Sequence, residues 1–168
     1  MKIALVALFF AVSASAQNPF TGISSACGPD RASFKVQLVD THHAPAPPQP
    51  ETAQVYFIHD EGADHEFAYP TAKLGIDGAW VGANHGNSWF SVSVTPGEHH
   101  VCAALQSSIV DQRVELAHFT AEAAKVYYFR TRLVMSRQVE LLELQPLDSD
   151  QGRYLVAAFP LSVSTLRK

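Results

Sequence analysis

Short runs of two-residue periodicity, each closed by a tight-turn signal, constrain this chain more than any other feature. Phe34-Lys35-Val36-Gln37-Leu38 alternates apolar and polar residues before Val39 breaks phase. Ser88-Trp89-Phe90-Ser91-Val92-Ser93-Val94 alternates from Phe90 on, which predicts Phe90, Val92 and Val94 on a buried face and the serines on the other. Residues 73–76 meet Asp77-Gly78, the dipeptide that best accepts the positive φ angles of a two-residue hairpin, and residues 79–82 are expected to return beside them. Pro96-Gly97 fits the central positions of a type II turn, with residues 98–105 as the returning strand.

Further strands are expected at residues 54–58, 113–119 and 126–134. The link at residues 120–125 has helical propensity but room for only about one turn. Residues 138–144 fit both periods, and Pro146 is expected to end them. Residues 151–159 read as a short helix or a closing strand. Together these signals predict an all-β fold, an antiparallel β-sandwich of about seven to nine short strands with an irregular N-terminal arm. At 168 residues and 47% hydrophobic the chain supports one domain with a real core, and it is too apolar to be disordered. A formal net charge of −4 argues against electrostatic binding of nucleic acid.

Lys2 followed by the unbroken apolar residues 3–12 and then Ala14-Ser15-Ala16 reads as a secretory signal peptide, residues 1–16, cleaved after Ala16. Ten apolar residues rise only about 15 Å as a helix, half of what a bilayer core needs, and no later stretch approaches eighteen apolar residues, so the mature chain is expected to have no transmembrane segment. Lipidation is not expected, because Ser24 occupies the Leu-like position before Cys27 and the cysteine lies far beyond the apolar run. Residues 17–50 are then an arm, the first strand and a proline-rich strap (Pro45, Pro47, Pro48, Pro50), and residues 51–168 the sandwich domain. Two cysteines in an exported chain predict a Cys27–Cys102 disulfide. The location expected is periplasmic or secreted.

Histidine is the compositional oddity, with eight in the chain. The segment His59-Asp60-Glu61-Gly62-Ala63-Asp64-His65-Glu66 concentrates acids and imidazoles, and His59, Asp60, Asp64, His65 and Glu66 are the candidate metal ligands. A polar loop accounts for the same residues, and neither an HExxH nor an EF-hand pattern is present. His99 and His100 are neighbours on one expected strand, so they face opposite ways. Gly86-Asn87-Ser88-Trp89 lacks the second glycine of a nucleophile elbow, and no catalytic residue is assigned. Trp80, Trp89, Tyr127 and Tyr128 are candidate ligand-binding aromatics. One of Trp89/Phe90 and one of Tyr127/Tyr128 must point away from the core, where the strap or arm could cover it.

Residues 53–58, 74–82, 94–99 and 119–129, including Leu74-Gly75-Ile76-Asp77-Gly78-Ala79-Trp80 and Val94-Thr95-Pro96-Gly97-Glu98-His99, resemble a bacterial family known as domain of unknown function two-eight-four-six. The hairpin and the Pro-Gly-Glu-His portion also look like PEGA-type surface modules. The resemblance covers about half the chain and implies a small exported β-sandwich with no assigned activity, so it transfers no site. Where such proteins carry a glycine, this chain has Ala124. The reading expected is an exported, non-enzymatic binding or structural module of the bacterial cell envelope, without a cofactor, whose partner is a protein or envelope component. A histidine-rich periplasmic metal-binding protein is the alternative, and an envelope hydrolase the third.

Overall fold

The run Val55-Tyr56-Phe57-Ile58 has no polar break, so a strand there must be covered on both faces. The computed structural model describes residues 27–29, 31–40, 47–61, 70–106, 114–136 and 139–167. They form β1 (Phe34–Val39), β2 (Ala53–His59), β3 (Thr71–Ile76), β4 (Ala79–His85), β5 (Ser88–Val94), β6 (Gly97–Leu105), β7 (Val114–Ala121), β8 (Val126–Ser136), β9 (Val139–Leu147), α1 (Ser149–Ala158) and β10 (Leu161–Leu166). A six-stranded sheet in the order β1-β10-β5-β2-β8-β9 packs on a four-stranded sheet in the order β4-β3-β6-β7. The all-β sandwich expected from periodicity is therefore the fold, with ten described strands. Its pairings are antiparallel except β10 with β5 and β2 with β8.

Between the sheets, Val55 and Phe57 of β2 meet Leu74, Ile76, Phe90, Val101, Ala103, Phe129 and Leu133. Phe90 is buried there, and Val92 and Val94 pack against the same cluster, as their alternation requires. Phe57 lies 5.3 Å from Phe90 and 6.1 Å from Phe129, centroid to centroid, and is fully buried. Burying a side chain of that size contributes about 1.5–3 kcal/mol. The opposite face of β2 carries Tyr56 and Ile58, which join Trp89, Tyr128, Leu155 and Val156 in a second cluster beneath α1. Asp148 caps α1, its Oδ1 accepting from the N–H groups of Asp150 and Gln151 at 2.9 Å each. The helix lies so close that a Cβ on Gly152 would overlap the Tyr128 ring.

Part of the outer face of the four-stranded sheet, around β3 and β4, is covered by the arm. Cys27 is disulfide-bonded to Cys102 of β6, with Cα atoms 5.6 Å apart. Lys73 Nζ donates to the Ala32 carbonyl at 3.0 Å and sits 4.5 Å from the Trp80 ring centroid, while Trp80 Nε1 donates to the Pro29 carbonyl at 2.9 Å. The 75-residue separation of the cysteines gives the bridge about 4.5 kcal/mol of stabilisation on a chain-entropy account. On the β4 side, hydroxyls replace a ladder between the layers. Ser162 Oγ donates to the Ala83 carbonyl at 2.6 Å, and Ser164 Oγ accepts from Ala83 N–H at 3.1 Å.

Several local expectations change. Residues 98–105 form β6, yet they do not return beside β5, because β2 and β10 flank β5 and the chain crosses at Pro96-Gly97 to the other sheet. Pro146 does not end its strand: β9 runs through it to Leu147, pairing Pro146 with Phe129. As the edge strand of its sheet, β9 can spare that outward-facing donor. The sequence alternatives at residues 151–159 resolve as α1, with β10 following it. β1 pairs along its length with β10, so the first strand is an integral part of the sandwich. The signal peptide, the arm up to residue 26 and the strap residues 41–46 lie outside the described residues.

The turn sites divide cleanly. Asp77 and Gly78 take φ of 50° and 82°, the hairpin turn their dipeptide favours. Residues 120–125 contain no helical turn: the strand continues through Ala121, and Ala124 adopts φ 58°, with Lys125 N–H donating to Glu122 O at 3.2 Å. A left-handed conformation costs a residue with a Cβ roughly 1–2 kcal/mol. Ala124→Gly is therefore expected to raise unfolding free energy by about 0.5–1 kcal/mol, part of the relief being offset by a freer unfolded chain. Urea denaturation of both proteins measures the difference.

Candidate functional site

The inner face of the six-stranded sheet turns polar at one end. Register places Ser88 of β5, His59 of β2 and Thr131 of β8 side by side. His59 follows Phe57 by two residues, so strand alternation delivers it to the core side, and it is fully buried. Its Nδ1 lies 2.9 Å from Thr131 Oγ1 and its Nε2 2.6 Å from Glu61 Oε1. Glu61 N–H donates to Asn87 Oδ1 at 2.8 Å, and Asn84 Nδ2 reaches across from the other sheet to the Phe57 carbonyl at 3.1 Å. Glu61 Oε2 and Asn84 Oδ1 are buried without a hydrogen-bond partner among the described residues.

A hydroxyl, an imidazole and a carboxylate in series are the members of a nucleophile relay. Here the relay is enclosed, since Thr131 is 1% exposed and the His59 and Glu61 side chains are both 0% exposed. Its chemistry in this arrangement is to tie β2 to β8 and to the chain beyond β2. Removing one member of a buried hydrogen-bonded series leaves its partners unsatisfied, which typically costs about 1–3 kcal/mol. His59→Ala is expected to lower stability by that amount, read from the midpoint of a guanidinium transition.

The candidate metal ligands are not assembled by what is described. Both ring nitrogens of His59 are engaged by Thr131 and Glu61. Asp60 lies beside Arg130, Oδ2 to Nη1 at 3.4 Å, and Asp64, His65 and Glu66 fall outside the described residues. Among the described residues no three His, Cys, Asp or Glu side chains converge as a metal-binding group. The candidate aromatics are all engaged internally. Tyr127 is half-buried and packs against the core, 4.9 Å from Phe119, Trp89 and Tyr128 lie beneath α1, and Trp80 is held by the arm. Burial pushes the phenols of Tyr56 and Tyr128 up from their ordinary value, and the two rings stack at 5.2 Å. The glutamate missed as a candidate, Glu61, was legible only as one more acid in the 59–66 segment.

His99 and His100 do face opposite ways: His99 is buried and His100 exposed. His99 Nδ1 donates to Asp77 Oδ2 at 2.6 Å and Nε2 to the Thr95 carbonyl at 2.7 Å. Because both partners only accept, both ring nitrogens carry protons and the ring is an imidazolium. Burial pulls its pKa down, but the Thr95 carbonyl and the Asp77 carboxylate outweigh burial and hold it above the ordinary 6.5. For Asp77, burial pushes up, while the His100 N–H and the His99 ring prevail and hold it below the ordinary 3.8. A raised histidine stabilises the fold fully below 6.5 and loses that contribution as pH rises through its folded value. A lowered aspartate stabilises fully above 3.8 and loses its contribution as pH falls through its folded value. Unfolding free energy in metal-free buffer is therefore expected to be highest between these two values and to fall on either side. His99→Gln should remove the decline on the alkaline side.

Protein-family models, curated proteins and solved structures were each compared with the chain, and none matches. The functional reading accordingly rests on the residues and their arrangement. Among the described residues no helix is long and apolar enough to cross a membrane.

Proposed function

We propose that the chain is an exported, non-enzymatic binding or structural module of the bacterial cell envelope. The observation that carries this reading is the Cys27–Cys102 bridge, which fastens the N-terminal arm to β6 and closes 75 residues of chain. Such bonds persist in oxidising compartments and are rare where thiols are kept reduced. The apolar run of residues 3–12 followed by Ala14-Ser15-Ala16 supports the same destination. The assignment of the described polar groups favours a module over an enzyme. The hydroxyl–imidazole–carboxylate series is enclosed in the core, and the aromatic candidates hold the arm, the helix and the two sheets together.

Expression of the full chain in a bacterium, followed by fractionation, tests the reading. The expected product is found outside the cytoplasm, begins at Gln17 and has its cysteines oxidised. Crosslinking in intact cells should then capture an envelope component. An unprocessed, reduced protein in the cytoplasm would overturn the proposal.

A further inference from the structure

On the antiparallel pair β6–β7, His100 lies directly opposite His118. Directly opposed residues share one face, with Cβ atoms roughly 4.5–5.5 Å apart. That face is the outer one. Strand alternation sends His99 inward against Phe119, at 5.5 Å, and leaves His100 and His118 exposed. The arm covers the same sheet face around Lys73, Gly75 and Trp80, toward β3 and β4, and both imidazoles remain open to solvent. Neither ring makes a hydrogen bond to any described residue, in contrast to His59 and His99, whose nitrogens are all occupied.

We infer that His100 and His118 form a two-imidazole site for a divalent first-row transition metal, copper(II) above zinc(II). Paired imidazoles suit these ions, and copper(II) heads the general order of affinity. Asp77 does not complete the ligand set. Its Oδ1 accepts from the His100 backbone N–H at 2.9 Å and its Oδ2 from His99 at 2.6 Å. No third side chain converges among the described residues, so the two imidazoles are what the described fold offers the ion. Glu98, exposed and two residues before His100 on the same face, adds negative charge beside the ion without ligating it. The same strands that hold the two rings are locked from beneath by the His99–Asp77 contact and from the next pair of residues by the bridge at Cys102, so the pair is presented on a rigid ladder. The site is independent of the export reading, because it depends only on β6–β7 register.

The disulfide-intact chain, stripped with chelator, is titrated with copper(II) chloride and with zinc(II) chloride by calorimetry, alongside His100→Ala, His118→Ala and the control His85→Ala. Loss of even an outer-shell partner costs a metal site about 10–100-fold, so each of the first two variants is expected to weaken copper binding at least about ten-fold. The control should bind as the parent does. Both substituted side chains are exposed, and circular dichroism confirms that the variants keep their strands. Paramagnetic copper should broaden amide resonances of residues 98–102 and 116–120 first. Copper binding unchanged in both variants, or broadening that begins around other histidines, would overturn the assignment.

Discussion

A strand buried on both faces sets the terms for this molecule. β2 cannot be satisfied by one partner layer, because Val55 and Phe57 face one way and Tyr56 and Ile58 the other. One side is answered by the four-stranded sheet, the other by α1. The polar end of the same strand follows from the same alternation. His59 must enter the core two residues after Phe57, and it is accommodated there only because Thr131 and Glu61 take both of its nitrogens. Buried polar groups persist when they are bonded, and here the bonding joins neighbouring strands.

Much of the fold was legible because local periodicity and turn chemistry agree along this chain. The Asp77-Gly78 hairpin, the inward set Phe90, Val92 and Val94, and the opposite orientations of His99 and His100 all follow from rules that need no tertiary information. What was not legible depends on which strands are neighbours. Pro96-Gly97 reads as a hairpin in sequence, yet its two flanks belong to different sheets. Pro146 reads as a terminator, yet an edge position relieves it of the need to donate. The unbroken run in β2 did contain a usable signal: a strand with no polar alternation demands two covers, and the helix at its back was the second.

Candidate chemistry was harder to read than the fold, and for a specific reason. Side chains far apart in sequence meet only through register. His59 and Thr131 are 72 residues apart, and His100 meets His118 only because β6 pairs with β7. The concentration of acids and imidazoles at residues 59–66 drew attention to a segment, whereas the described contacts divide its first three residues among different tasks. His59 and Glu61 bind each other, and Asp60 turns to Arg130.

The pairing of β1 with β10 joins Phe34 to Leu166, almost the full breadth of the described chain. Nearly every residue between must already be available before that ribbon can zip, so assembly is dominated by distant partnerships and is correspondingly slow. A polypeptide that emerges from its N-terminus holds its opening strand unmatched until the closing one arrives. The six-stranded sheet therefore lacks its β1 edge until residues 161–166 are in place, even where the strands between have already paired.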